Sequence, residues 1–272
     1  MKHHLSVAVA ALCASSAVVW AQADPAKVDL APTGTLRAAY LSTNPAQSTK
    51  DPQTGELRGA SYDLARELAR RIGKPLAFNP IAGPPAVIEA VKSGAADIGF
   101  VAYEATRLGT VEFSQTYMLV QQSFLVLGES PLGKVADVDR AGLKIAGTRN
   151  DSITLCLKRV LKQATPVELD NNVELIAKAL SDREIDALGA NRQRLTTLSK
   201  SVPGSRLLPD NFFNVPQNII VPMGKPEVLA AVDAFIDDMR GSGALRDSIA
   251  KSGIVGIAPA PKSPGSQHGC PG

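Results

Sequence analysis

The chain has 272 residues, 29 Lys and Arg against 26 Asp and Glu, and a formal net charge of +3. That near-balance excludes the strongly basic surface of a nucleic-acid binder, and a 44% share of hydrophobic residues belongs to a chain with buried cores rather than a disordered one. Three cysteines and three histidines exclude a disulfide-dense scaffold, and no His/Cys/Asp cluster has metal-ligand spacing, so neither metal nor cofactor is expected.

The first 23 residues read as a cleaved signal peptide. Lys2, His3 and His4 make a polar start, Leu5 to Trp20 is mostly apolar, and Ala21-Gln22-Ala23 fits the small-x-small cleavage rule. Cys13 is not a lipid-attachment site, because Leu12 stands where a small residue is needed. The mature protein is thus expected in the periplasm, with Asp24 at its start. Trp20, the only tryptophan, leaves with the leader, and His268 is the one histidine that remains.

Strand and helix patterns then alternate, which predicts an α/β fold. Leu36 to Leu41 is a first strand. Ser61 is expected to cap a helix carrying Leu64, Leu68 and Ile72 on one face, stopped by Gly73 and Pro75. A short strand at Leu76 to Phe78 precedes a helix opened by Pro84-Pro85 and closed by Gly94. Ile98 to Ala102 is a third strand, ending in a polar turn that holds a single arginine, Arg107. Phe113-Ser114 and Tyr117 follow.

Ser123 to Leu127 is a strand, and Gly128 to Gly133 a turn. A second α/β set begins with a strand at Leu143 to Ala146 and a helix capped by Ser152 or Asp151, with Ile153, Leu157, Val160 and Leu161 on one face. Strands at Val167 to Leu169 and Ile185 to Leu188 flank a helix marked by Val173, Ile176, Ala177 and Leu180; another helix runs from Arg192 to Ser199. Ile219 to Val221 is a return strand. Pro226 opens a helix through Met239, and Leu245 to Ile249 ends the ordered part. The Pro/Gly/Ser-rich residues 261–272 are expected to be disordered. Cys156 reads as a buried thiol rather than the partner of Cys270.

Taken in order, several segments resemble the extracytoplasmic solute-binding proteins of ABC importers, family 3, which include the polar amino-acid receptors. They are Gly34-Thr35-Leu36-Arg37, Asp63-Leu64-Ala65, Leu68 to Gly73, Ala90 to Gly94 with Ala96-Asp97-Ile98, Arg107 with Val111 to Ser114, Tyr117, Gly142 to Ala146 and Ile185-Asp186-Ala187. The resemblance implies a type 2 periplasmic-binding-protein fold: two α/β lobes joined by two crossing strands, with a small molecule held between them. Lobe 1 would be residues 24–121 plus 218–260, and lobe 2 residues 122–217. It further implies hinge closure on the ligand, a membrane permease as partner, and a protein that binds rather than converts its solute. A monomer is the default.

Arg107 is the first candidate for ligand contact. A guanidinium at the carboxyl end of a buried strand suits a carboxylate, and in the family the matching arginine holds that group. Ser152, at a helix start, can face the same anion. Asn191 departs from the family: the amino-acid receptors carry an ammonium-binding aspartate five residues after the aspartate that matches Asp186. Arg192 adds positive charge beside it. Glu104 could substitute for the lost carboxylate. Tyr103 and Asn44 could wall the organic body, and the loop carrying Arg107 is shorter than in those receptors. The expected ligand is therefore a small carboxylate-bearing solute, an amino acid or a related organic acid. Two other readings fit the same residues: an enzyme like the cyclohexadienyl dehydratases, with Glu104 as acid, and a periplasmic ligand-sensing module.

Overall fold

The computed structural model describes residues 25–51, 53–262 and 269–270; the leader expected over residues 1–23 lies outside them. The first strand, β1 (Leu36–Leu41), coincides with the apolar run that predicts it. A small hairpin, β2 (Thr49–Lys50) and β3 (Leu57–Arg58), precedes α1 (Ala60–Arg71). Then follow β4 (Leu76–Ile81), α2 (Pro84–Lys92) and β5 (Ile98–Ala102). The N-cap of α1 is Gly59, so Ser61 is not the cap. Its hydroxyl instead shares a 2.7 Å hydrogen bond with the Tyr117 hydroxyl, both groups buried.

The next strand is far longer than its apolar stretch suggests. It runs as β6 (Glu112–Leu127) through buried polar residues Ser114, Gln115, Thr116, Gln122 and Ser123. The second α/β set contains β7 (Lys144–Thr148), α3 (Ser152–Val160), β8 (Thr165–Leu169), α4 (Val173–Ser181), β9 (Ala187–Asn191), α5 (Arg192–Leu198) and β10 (Ser205–Leu207). The chain returns along β11 (Asn214–Val221) and ends its ordered run with α6 (Pro226–Gly241), α7 (Ala244–Ser252) and β12 (Ile257–Pro259).

One continuous sheet carries the order β4-β1-β5-β11-β6-β9-β7-β8. Two parallel sets, β4-β1-β5 and β9-β7-β8, lie at its ends, and the antiparallel pair β11 and β6 joins them. The joint is visible in the register of β6. Its first part pairs with β11 and β12, and its last part, from Gln122 to Leu127, pairs with β9 and β10. The molecule is therefore a two-lobed α/β protein whose halves share two long strands.

Each half has its own core. In the first, Leu64 and Leu68 of α1 pack with Phe100, Tyr117, Phe235 and Ile236; in the second, Phe124, Ile145, Ile153 and Leu157 surround Cys156. A side chain of this size, fully buried, contributes about 1.5–3 kcal/mol. Tyr40 belongs to the first core, stacked on Phe78 with ring centroids 4.1 Å apart.

The free-thiol reading of Cys156 is wrong. Cys156 and Cys270 form a disulfide. Sequence composition marks residues 261–272 as a loose tail, yet Cys270 packs against the second core, and a β-carbon on Gly269 would lie 2.4 Å from the Asn214 carbonyl oxygen. Lys262 pairs with Asp237 at 2.8 Å. Residues 263–268 lie outside the described set.

Candidate functional site between the two halves

The carboxyl ends of β1 and β5 in one half face the amino ends of α3 and α5 in the other. Open α/β sheets place ligands at such strand ends. Arg107 sits in a short 3-10 turn (Ala105–Arg107) after β5 and is 7% exposed. Its guanidinium donates to the Ala102 carbonyl at 2.7 Å within its own half and to the Asn150 carbonyl at 2.8 Å across the gap. Burial lowers its pKa from the ordinary arginine value, against the pull of Asp151 and Glu104; an arginine keeps its proton regardless.

Asn150 is delivered by an unusual turn. Its φ is 63°, left-handed, a conformation that Asn tolerates better than most residues. The Thr154 hydroxyl donates to the Thr148 carbonyl at 2.6 Å and closes the turn from the helix side. Asp151 is the N-cap residue of α3 but makes no side-chain cap bond. It lies 3.4 Å from Arg194 instead. Burial pushes its carboxyl pKa up, while Arg194 and Arg107 hold it down. Ser152 is the first helical residue, not the cap, and borders the central space.

Asn191 caps α5: its Oδ1 accepts from the Arg194 amide at 2.8 Å. Its Nδ2 donates across the gap to Asn44 Oδ1 at 3.0 Å, and that oxygen also accepts from the Ala46 amide. Arg192 does not face the gap. It donates to the carbonyls of Leu208, Pro209 and Asp210 at 3.1, 2.6 and 2.8 Å. Arg194 takes that place; it is 8% exposed and also bonds Asn171 Oδ1 at 2.5 Å. Residues two apart on a helix point to opposite sides, so the cap at Asn191 is the signal that would have favoured Arg194. Three glutamines were also missed. Gln217 and Gln122 border the central space. Behind them Gln47 ties the Leu41 amide and the Phe100 carbonyl to Gln217.

Glu104 and Tyr103 stand apart, beside a second cavity of about 260 Å³ that shares Ser152 and Val215 with the first. Glu104 is 4% exposed and paired with Arg159 at 2.6 Å. Tyr103 packs edge-on against Phe113 with centroids 5.3 Å apart, and its amide donates to the Pro216 carbonyl. The structure thus gathers Arg107, Ser152, Asn191 and Asn44 around the central gap, sets Glu104 and Tyr103 to one side, and turns Arg192 away. The central space is about 40 Å³, room for about three water molecules. A larger guest enters only if the halves part.

The family model for bacterial extracellular solute-binding proteins, family 3, matches residues 36–252. The chain belongs to that family. A glutamine-binding protein of Geobacillus stearothermophilus is 26% identical over 175 residues, covering 62% of this chain and 66% of that protein. An ABC transporter glutamine-binding protein of Bacillus subtilis (strain 168) is 24% identical over 199 residues, covering 71% and 72% of the two chains. Among solved structures, an ancestral arginine-binding protein bound to glutamine superposes with a TM-score of 0.67 at 24% identity, over 80% of this chain and 97% of that one. Family 3 proteins are binding proteins, and the two-lobed fold of this chain is theirs.

Proposed function

We propose that this family 3 protein is the periplasmic substrate-binding component of an ABC importer and captures a small carboxylate-bearing solute between its halves. The lobes are residues 24–121 with 218–260, and 122–217. The protein is exported through its cleaved leader, works as a monomer, and presents its closed form to a membrane permease.

The observation that carries this reading is Arg107. A guanidinium buried between two hinged halves, bonded only to carbonyl oxygens, can exchange the Asn150 bond for a ligand carboxylate without leaving its own half. Such an exchange swaps a neutral acceptor for a charged one, which roughly doubles the strength of the bond. From the facing half, Arg194 offsets the Asp151 carboxylate at 3.4 Å, and the first turn of α3 adds positive potential. Glu104 is already paired and lies outside the central space, which favours capture over acid catalysis.

The test is a thermal-shift screen of amino acids, beginning with glutamine and arginine, and of small organic acids on the mature chain. A ligand at about 100 times its Kd adds about 2.7 kcal/mol of stability. Calorimetry on the best ligand should then show a loss of about 100-fold or more for Arg107→Met. Unchanged affinity in that variant refutes the assignment.

A further inference from the structure

The second cavity is larger than the central one, at about 260 Å³ against about 40 Å³. Its walls come from four parts of the chain, one of them Phe213 and the start of β11. Tyr103 and Glu104 follow β5 in the first half; Ser152 and Arg159 belong to α3 in the second; Cys270 closes it at the end of the chain. Ser152, Cys156 and Arg159 are spaced four and three residues apart, so they share one face of α3. The disulfide fastens Cys270 to the middle of that face. The cavity is therefore a built feature, with one wall held covalently.

Its charges are asymmetric. The Glu104 side chain is 4% exposed, whereas its partner Arg159 is 45% exposed. The carboxylate bordering the central space, Asp151, is paired with Arg194, whose side chain is only 10% exposed. Arg159 can swing into water at the cost of one side-chain contact; Arg194 has no such route. Glu104 cannot follow Arg159 out. A buried carboxylate stripped of its partner is strongly unfavourable, so a guest that displaces Arg159 must bring a positive charge.

We infer that this cavity is a second subsite, in which Glu104 takes the primary ammonium or guanidinium end of the solute after Arg159 rotates outward. This rests on the reading of Arg107 as the carboxylate anchor. Ser152 and Val215 border both cavities, so one extended molecule can place its carboxylate on Arg107 and its cation on Glu104. The favoured solute is then a carboxylate whose cationic group stands at the far end of a chain.

Calorimetry with three probes tests this: valerate, δ-aminovalerate and pentylammonium, each titrated into the mature chain and into Glu104→Gln and Arg159→Ala. The wild type should bind δ-aminovalerate about tenfold or more tightly than valerate, as an added charge pair implies. That ratio should fall to near one in Glu104→Gln and rise in Arg159→Ala, where the competing guanidinium is gone. A ratio near one in the wild type overturns the subsite, as does a ratio untouched by Glu104→Gln or lowered by Arg159→Ala. Should Glu104→Gln not fold, Arg159→Ala decides alone. If valerate binds and the amine adds nothing, only the subsite fails. If pentylammonium binds and valerate does not, the Arg107 reading fails and the subsite stands. If none of the three binds, both fall.

Discussion

Breaking the disulfide should destabilise this protein measurably. Cys156 and Cys270 are 114 residues apart, and the loop they close contains most of the second half together with β11, α6 and α7. Tying the ends of a loop that long restricts the unfolded chain by about 5 kcal/mol on the chain-entropy account, and native disulfides range from about 2 to 5 kcal/mol. That is a large share of the roughly 5–15 kcal/mol by which a domain is stable. Alanine at both positions is the right replacement, because Cys156 is fully buried in an apolar cluster where serine would strand a hydroxyl. The mature chain has no tryptophan once the leader is removed, so urea unfolding is best followed by far-ultraviolet circular dichroism. With a slope of about 3 kcal/mol per molar, the midpoint should fall by about 1–2 M in the double variant and after reduction of the wild type. Alkylation before reduction should find no free thiol. Midpoints that agree within about 0.3 M would refute the reasoning.

Two further outcomes follow from other contacts. Glu67 on α1 accepts from Arg70 and Arg71 at 2.7 and 2.9 Å, and these arginines lower its pKa from 4.5 to about 2. A depressed carboxyl contributes stability that is present above its unfolded value and lost as pH falls through its folded value. Glu67→Gln should therefore cost about 1 kcal/mol at pH 7 and progressively less as the pH falls from about 4.5 through about 2, the modest figure reflecting partial exposure; a cost that does not change over that range in urea titrations would exclude this linkage. Gly59, at φ 132°, leaves no room for a side chain: an added β-carbon would stand 2.6 Å from the Gln47 carbonyl oxygen. Gly59→Ala should cost about 2–3 kcal/mol, read as a lowered Tm, and should displace Gln47 from its bond to Gln217; a wild-type Tm would contradict it.

The inner parallel strands of the first half are legible because they are buried and read as apolar runs, whereas β4 and β8, at the sheet edges, are half-buried or exposed and outrun their apolar residues. β1 and β5 match their sequence runs residue for residue. β6 was read only from Ser123 because its earlier residues cross between the halves, where Gln115, Thr116 and Gln122 are buried with hydrogen-bonded side chains rather than packed as hydrophobes. Arg107 stands out as the single arginine in the turn after an apolar strand. Arg194 does not, because its direction depends on where α5 begins, and the cap at Asn191 decides that. The disulfide was hidden by composition: residues 261–272 look incapable of packing, and no local pattern ties Cys270 to a helix so far back in the chain.

The charge balance between the halves supports the proposal that the central gap receives an anion. The carboxylate bordering that gap, Asp151, already has Arg194 at 3.4 Å, and Glu104, beside the second cavity, has Arg159 at 2.6 Å. Asn191, where the amino-acid receptors carry an aspartate, is neutral and spends its amide on Asn44. An ammonium entering the central gap meets no unengaged negative charge. Arg107 is in the opposite position, since both acceptors it bonds are neutral carbonyls, and Asp151 and Glu104 steady its charge without occupying it. A carboxylate arriving there gains a charged hydrogen bond and displaces only the Asn150 carbonyl, which can turn to water as the halves part. On the proposed reading, discrimination between organic acids and amino acids moves away from Asn191 to the carboxylate whose partner is more exposed, Glu104.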